Sequence, residues 1–101
     1  MAKPRISVTL EIDIVQSVKE LAEYDGRPFA QYVNLVLRDH LENLNEPLSD
    51  RTKKSKTTSV GLTLDANVIE RIQQLAADNH RSVSQYINIV LRQHLNRQKE
   101  I

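Results

Sequence analysis

The chain contains no cysteine and no tryptophan, and only two glycines. Without cysteine there is neither a disulfide nor a thiolate-ligated zinc to hold a small fold together. Two isolated glycines make no glycine-rich phosphate loop. Neither a nucleophile elbow nor the His-Glu-x-x-His spacing of a zinc protease occurs. An enzyme is therefore not expected, nor is a cofactor. No apolar run approaches the roughly 20 residues of a membrane span. The first 25 residues hold no apolar stretch of the kind a signal peptide needs. The lack of cysteine fits an intracellular protein. A dominant charge is missing too, since the net charge is only +1. Residues 1–44 carry five Lys/Arg and seven Asp/Glu, 45–58 carry four and two, and 59–101 carry five and four. Attraction to a polyanion must come from a local face.

What the chain does contain is a duplication. Residues 31–41, QYVNLVLRDHL, and residues 85–95, QYINIVLRQHL, agree at eight of eleven positions, 54 residues apart. The match runs without a gap from 6–41 to 60–95, with thirteen of 36 positions identical. Others keep their character, such as Ile6/Val60, Glu11/Asp65, Ile14/Val68 and Val18/Ile72. Repeat arrays need about three or more units for stability, so two copies point to a closed pair. A unit of roughly 40–45 residues buries too little surface to fold alone without disulfides or metal. The two copies are expected to share one core.

Each copy opens with period-two alternation. Arg5-Ile6-Ser7-Val8-Thr9-Leu10 puts Ile6, Val8 and Leu10 on one side and Arg5, Ser7 and Thr9 on the other, and Ser59-Val60-Gly61-Leu62-Thr63-Leu64 repeats this. That pattern predicts a half-buried strand. Neither copy holds a second strand, and a lone strand leaves backbone groups unpaired. Each strand's expected partner is the strand of the other copy. A first helix is predicted at about 12–25 and 66–79 by the apolar faces Val15-Val18-Leu21-Ala22 and Ile69-Ile72-Leu75-Ala76. Asp13 and Asn67 lie near its starts, where acidic or capping side chains suit the free N–H groups. Gly26 fits a helix C-terminal position of positive φ, and Asn79 is the candidate for that role in the second copy. A second helix is predicted at roughly 29–44 and 83–98. Val33, Leu35, Val36, Leu37 and Leu41 spread around more than half of it, which predicts burial on several sides. Residues 45–58 are polar, contain Pro47 and show no periodicity, so they read as a flexible linker between a first unit, 1–44, and a second, 59–101. Fourteen residues span at most ~46–50 Å, enough to cross a domain of ~13 Å radius of gyration and bring the second strand antiparallel to the first.

Strand, helix, tight turn and helix in about 40 residues, with a strand that needs a partner copy, resembles the ribbon-helix-helix family of Arc/MetJ/CopG-type DNA-binding proteins. Asn79-His80-Arg81-Ser82-Val83-Ser84 looks like the family's turn into its second helix. The spacing from Thr9 to Arg27, and from Thr63 to Arg81, is similar to the Arc-type pattern. Two units in one chain resemble the tandem members, such as the TraY-type accessory proteins of conjugative plasmids. The resemblance implies a mainly α fold with a short β ribbon: two βαα units forming an intramolecular pseudo-dimer around a two-stranded antiparallel sheet.

It also implies a mechanism. A two-stranded ribbon enters the major groove of double-stranded DNA. Base edges would be read by Arg5, Ser7 and Thr9 of one strand and Ser59, Gly61 and Thr63 of the other. Gly61 has no side chain to read with and would let the ribbon sit closer to the bases. Phosphates would be held at the N-termini of the second helices, by Ser82, Val83 and Ser84 in the second copy and Phe29 and Ala30 in the first. There Pro28 replaces the capping serine, a departure that weakens the first clamp. Arg27, Arg81, Lys3 and Lys56 are further phosphate candidates, with Lys53 and Lys54 beside them. Against this stands the plainer reading, in which Ser, Thr and Arg merely solvate a strand face and the lysines a linker. His40 and His94 are expected to pack on the second helix rather than bind metal. Tyr32 and Tyr86 are expected to be core or rim residues, and His80 an exposed turn residue.

As implied uses, the resemblance offers a transcriptional repressor or a transfer-origin accessory factor. The latter would work with a relaxase or another nucleoprotein component, with further copies side by side on DNA. Both uses place the protein in the bacterial cytoplasm, on nucleoid or plasmid, with no membrane partner. The alternative of another class is a protein-interaction module such as a toxin-binding antitoxin. Antitoxins of the family carry a tail after the second helix, where this sequence reads Gln98-Lys99-Glu100-Ile101, so DNA binding is the expectation.

Overall fold

The computed structural model describes residues 4–43 and 56–99. Lys3 and residues 44–55, which include Lys53, Lys54 and most of the expected 45–58 linker, lie outside them. The elements run β1 (Arg5–Glu11), α1 (Ile12–Tyr24), α2 (Phe29–Glu42), β2 (Thr57–Thr63), α3 (Ala66–Asp78) and α4 (Val83–Lys99). The described residues form a mainly helical fold, with four helices and one two-stranded sheet. Its Cα radius of gyration is 12.8 Å.

β1 and β2 pair antiparallel, from Arg5↔Thr63 through Ser7↔Gly61 to Glu11↔Thr57. Leu64 N–H donates to the Pro4 carbonyl (3.2 Å) and Ile12 N–H to the Lys56 carbonyl (2.9 Å), which carries the pairing beyond both ends. β2 starts at Thr57, two residues before the Ser59 start read from alternation. Thr57 and Thr58 have exposed side chains that add nothing to the apolar pattern. They are drawn into the strand by their backbone partners, Glu11 and Leu10. The alternation sorts as predicted. Val8, Leu10, Leu62 and Leu64 are buried, Ile6 and Val60 are partly buried against the core, and Arg5, Ser7, Thr9, Ser59, Gly61 and Thr63 are exposed.

The core under the ribbon draws equally on the two halves. Ile14, Val15, Val18 and Ala22 of α1 are matched by Val68, Ile69, Ile72 and Ala76 of α3, each 54 residues on. Val33, Val36 and Leu37 of α2 meet Ile87, Val90 and Leu91 of α4 in the same cluster. Truncating one such leucine to alanine costs roughly 2–5 kcal/mol. The burial of the second helix is less complete than its sequence suggested. Leu35 stays 37% exposed whereas its counterpart Ile89 is 3% exposed, and Leu41 is only partly buried.

Local signals set most boundaries. β1 runs directly into α1, and β2 reaches α3 through Leu64 and Asp65, so the N-cap residues are Glu11 and Asp65, both in extended conformation and neither making a side-chain cap bond. Asp13 falls instead inside the first turn of α1. At the far end Gly26 has φ 68°, as expected. In the second copy the left-handed residue is His80 (φ 57°), not Asn79 (φ −97°). Asn79 serves the helix end differently, its Nδ2 donating to the Leu75 carbonyl at 2.7 Å. A side chain in the left-handed region costs roughly 1–2 kcal/mol, which the geometry of the turn imposes on His80.

α2 and α4 are locked to each other by two reciprocal hydrogen bonds. Tyr32 Oη lies 2.9 Å from His94 Nε2, and Tyr86 Oη lies 2.7 Å from His40 Nε2. The rings meet edge to face, with centroids 5.8 and 5.5 Å apart. Burial lowers the pKa of both histidines, aided at His40 by Arg97 and opposed by Asp39 there and by Asp39 and Asp25 at His94. Burial raises the pKa of both tyrosines. Each pair is therefore neutral near pH 7. A histidine pKa lower in the folded than in the unfolded chain means that the unfolded chain binds more protons as pH falls. The melting temperature should thus be at its plateau above the unfolded value of 6.5 and fall as pH drops below it, through the depressed folded pKa values. Calorimetry between neutral pH and mild acid checks this. Replacing both histidines by Gln should flatten that part of the curve.

Candidate nucleic-acid interface

The six residues proposed to read bases stand together on one exposed face. They occupy three rungs that alternate with inward-facing ones: Arg5 opposite Thr63, Ser7 opposite Gly61 and Thr9 opposite Ser59. Side chains two apart on a strand share a face, so alternation alone gathers them. The middle rung joins equivalent residues of the two copies, because Gly61 is 54 positions after Ser7. A pseudo-twofold axis therefore passes through it. Ser7 Oγ lies 3.4 Å from Ser59 Oγ on the neighbouring rung. The guanidinium of Arg5 lies over Gly61: a Cβ built there would stand 2.5 Å from its Nη2 and 2.7 Å from its Nε.

The edges of the ribbon are covered by the second helices, each gripping the other half, α4 along β1 and α2 at Asp65 just past β2. Asn88 of α4 accepts from Glu11 N–H (2.9 Å), and its Nδ2 donates to the Thr9 carbonyl (3.0 Å) and to the Ser84 carbonyl (2.9 Å). Ser84 Oγ accepts from Thr9 N–H at 3.0 Å. On the other edge Asn34 Oδ1 accepts from Asp65 N–H (3.0 Å), and Asn34 Nδ2 donates to the Asp65 carboxylate (3.1 Å). Arg92 reaches across to Glu11 and Asp13. Burial disfavours the Arg92 charge, but hydrogen bonds to Glu11 and Asp13 outweigh it and raise its pKa. The counterpart Arg38 makes a looser contact with Asp65, at 3.7 Å, and the position equivalent to Asp13 holds the neutral Asn67. The ribbon is thus clamped harder on the β1 edge.

The starts of α2 and α4 differ in the same sense. Ser82 and Gln85 form a reciprocal cap, with Ser82 Oγ accepting from Gln85 N–H and Gln85 Oε1 accepting from Ser82 N–H, both at 3.1 Å. Val83 and Ser84 follow, partly buried, with amides in the first turn, where a helix supplies no carbonyl partner. The Ser84 hydroxyl is committed to Thr9, so only its amide faces the role assigned to it. At α2 the N-cap is Pro28, with no side-chain cap bond, and Phe29 and Ala30 are partly buried. Lys19 stands over the Phe29 ring, 5.9 Å from its centroid, and brings a cation beside this otherwise plainer helix start. Arg27 is exposed and Arg81 partly so. Lys56 is exposed, and its carbonyl extends the ladder.

The roles of Asn34, Asn88, Arg38 and Arg92 were not read from the sequence, although Asn and Arg are identical in both copies at those positions. A polar residue repeated inside an apolar helix is the signal that could have found them, since buried polar groups are nearly always hydrogen-bonded. Among the described residues no group of three or more His, Asp or Glu is arranged to hold a metal ion. Among them, too, no helix is long and apolar enough to cross a membrane.

No curated protein and no solved structure matches the chain. Residues 58–98, which span nearly all of β2, α3 and α4, match the family model described as ribbon-helix-helix protein, copG family. This segment is similar to the ribbon-helix-helix family of copG type, whose members are in general DNA-binding transcription regulators.

Proposed function

We propose that the chain is two ribbon-helix-helix units folded as an intramolecular pseudo-dimer, 1–44 and 59–101 joined by 45–58, that binds double-stranded DNA sequence-specifically as a transcription regulator. The carrying observation is the exposed face of the β1–β2 ribbon, where Arg5, Ser7, Thr9, Ser59, Gly61 and Thr63 stand on three alternate rungs. A ribbon of two strands fits a major groove about 12 Å wide. Arginine there pairs bidentately with guanine, and the threonine methyls meet thymine methyls. The anchored starts of α2 and α4 hold phosphates through the first-turn amides of Phe29 and Ala30 and of Val83 and Ser84. Arg27, Arg81, Lys3 and Lys56 add charge, and Ser82 fixes the stronger clamp. The transfer-origin role, with relaxase contact and copies side by side, rests on the tandem resemblance alone.

The direct test is selection from a random duplex library at roughly 0.15 M salt. The expected result is a short asymmetric motif, because the two strands present different residues. No enrichment, with binding that vanishes at moderate salt, would leave only counterion-driven attachment. Arg5→Ala should relax preference at one position by ~1–3 kcal/mol. Ser82→Ala should destabilise the fold by about 0.5–2 kcal/mol and, well below its melting temperature, weaken binding similarly across sequences. A changed base preference in the serine variant would contradict its assignment to phosphate.

A further inference from the structure

The two diagonals across the ribbon are equivalent by the 54-residue repeat, yet they are filled in opposite ways. Arg5 and Ser59 are counterparts, as are Gly61 and Ser7. On one diagonal Ser59 meets Ser7, hydroxyl to hydroxyl at 3.4 Å. On the other Arg5 meets Gly61, and the guanidinium fills the volume that a Cβ would need. Two short side chains, or one long side chain and none, are alternative solutions of one packing problem. Strand residues rise about 3.4 Å each, so lying over Gly61 carries the Arg5 guanidinium roughly 7 Å along the ribbon, from its own end rung to the middle one.

We propose that Gly61 is a specificity-determining residue: by leaving this space open it positions the Arg5 guanidinium over the middle rung, beside the pseudo-twofold axis, so that a single arginine reads a guanine next to the centre of the site. The proposal rests on the DNA-binding reading above. It assigns Gly61 a role through Arg5 rather than as a mere absence of side chain. It also explains why the chain carries one arginine on this face instead of two: the Ser7 side chain closes the corresponding path on the other diagonal. Gly61 is exposed, and the nearest atoms to an added Cβ belong to the end of a flexible side chain. Substitution there should move Arg5 without unfolding the ribbon.

The experiment is duplex selection with the wild type, Arg5→Ala, Gly61→Ser, the double variant Arg5→Ala/Gly61→Ser, and Ser7→Gly/Ser59→Arg, after their melting temperatures are compared. The wild type should select one guanine next to the centre. Arg5→Ala and Gly61→Ser should each lower discrimination at that position by about tenfold, and Gly61→Ser should add nothing in the Arg5→Ala background. Ser7→Gly/Ser59→Arg should gain a second guanine related to the first by the twofold axis. If Arg5→Ala keeps the whole motif, the base-reading face itself is wrong. If Arg5→Ala loses the guanine while Gly61→Ser keeps it, the positioning role falls and DNA reading stands. An equal penalty from Gly61→Ser with and without Arg5 would also overturn it, because the added side chain would then act on DNA directly. Arg5 Nε–H relaxation in the free protein gives a readout without DNA: ordered in the wild type, mobile in Gly61→Ser, and unchanged if the proposal is wrong.

Discussion

A β-strand with no neighbour leaves a row of N–H and C=O groups on each side, and burying them unpaired is not tolerated. β1 and β2 each face this constraint, and each removes it for the other over seven consecutive rungs. Everything else is arranged around that ladder. The inward side chains of the two strands roof a core to which α1 through α4 all contribute. The outer edges are closed by Asn88, which reaches Glu11 of β1, and by Asn34, which reaches Asp65 just past β2. The same two halves meet again beneath, where the Tyr32–His94 and Tyr86–His40 bonds tie α2 to α4.

Pairing through a linker makes an assembly intramolecular, at an effective concentration of roughly millimolar order. It also releases the two strands from identity. Much of the difference between the halves falls on the exposed surface and the clamps. Arg5 stands where the second half has Ser59, and Gly61 where the first has Ser7. Arg92 holds two carboxylates where Arg38 holds one loosely. α4 begins with a reciprocal serine–glutamine cap where α2 begins with proline. The buried positions of α1 and α3, in contrast, differ only by exchanges of Val and Ile, with Ala22 and Ala76 identical. The apolar surface is held to one shape, whereas the polar face is free to become asymmetric.

Much of this was legible in the residues. The alternation of Ile6-Ser7-Val8-Thr9-Leu10 set both faces of β1, and the apolar spacing Val15-Val18-Ala22 set the inner side of α1. Four things were not. His80 was missed because residue preference pointed to Asn79, while the turn fixed the left-handed position by its distance from the helix, at the counterpart of Gly26. Thr57 was missed because a strand end is decided by backbone partners rather than side chains. Leu35 looks like its neighbours, but its exposure depends on how far α2 is wrapped, which no local pattern encodes. The diagonal of Arg5 over Gly61 depends on register, which only the paired structure supplies.

The account stands on one chain completing its own ribbon and core. The most direct test is the melting temperature measured over a hundredfold dilution of the protein. An intramolecular pair melts at the same temperature throughout. A melting temperature that falls steeply on dilution would mean that β1 takes its partner strand from another molecule, and the single-chain ribbon would be wrong.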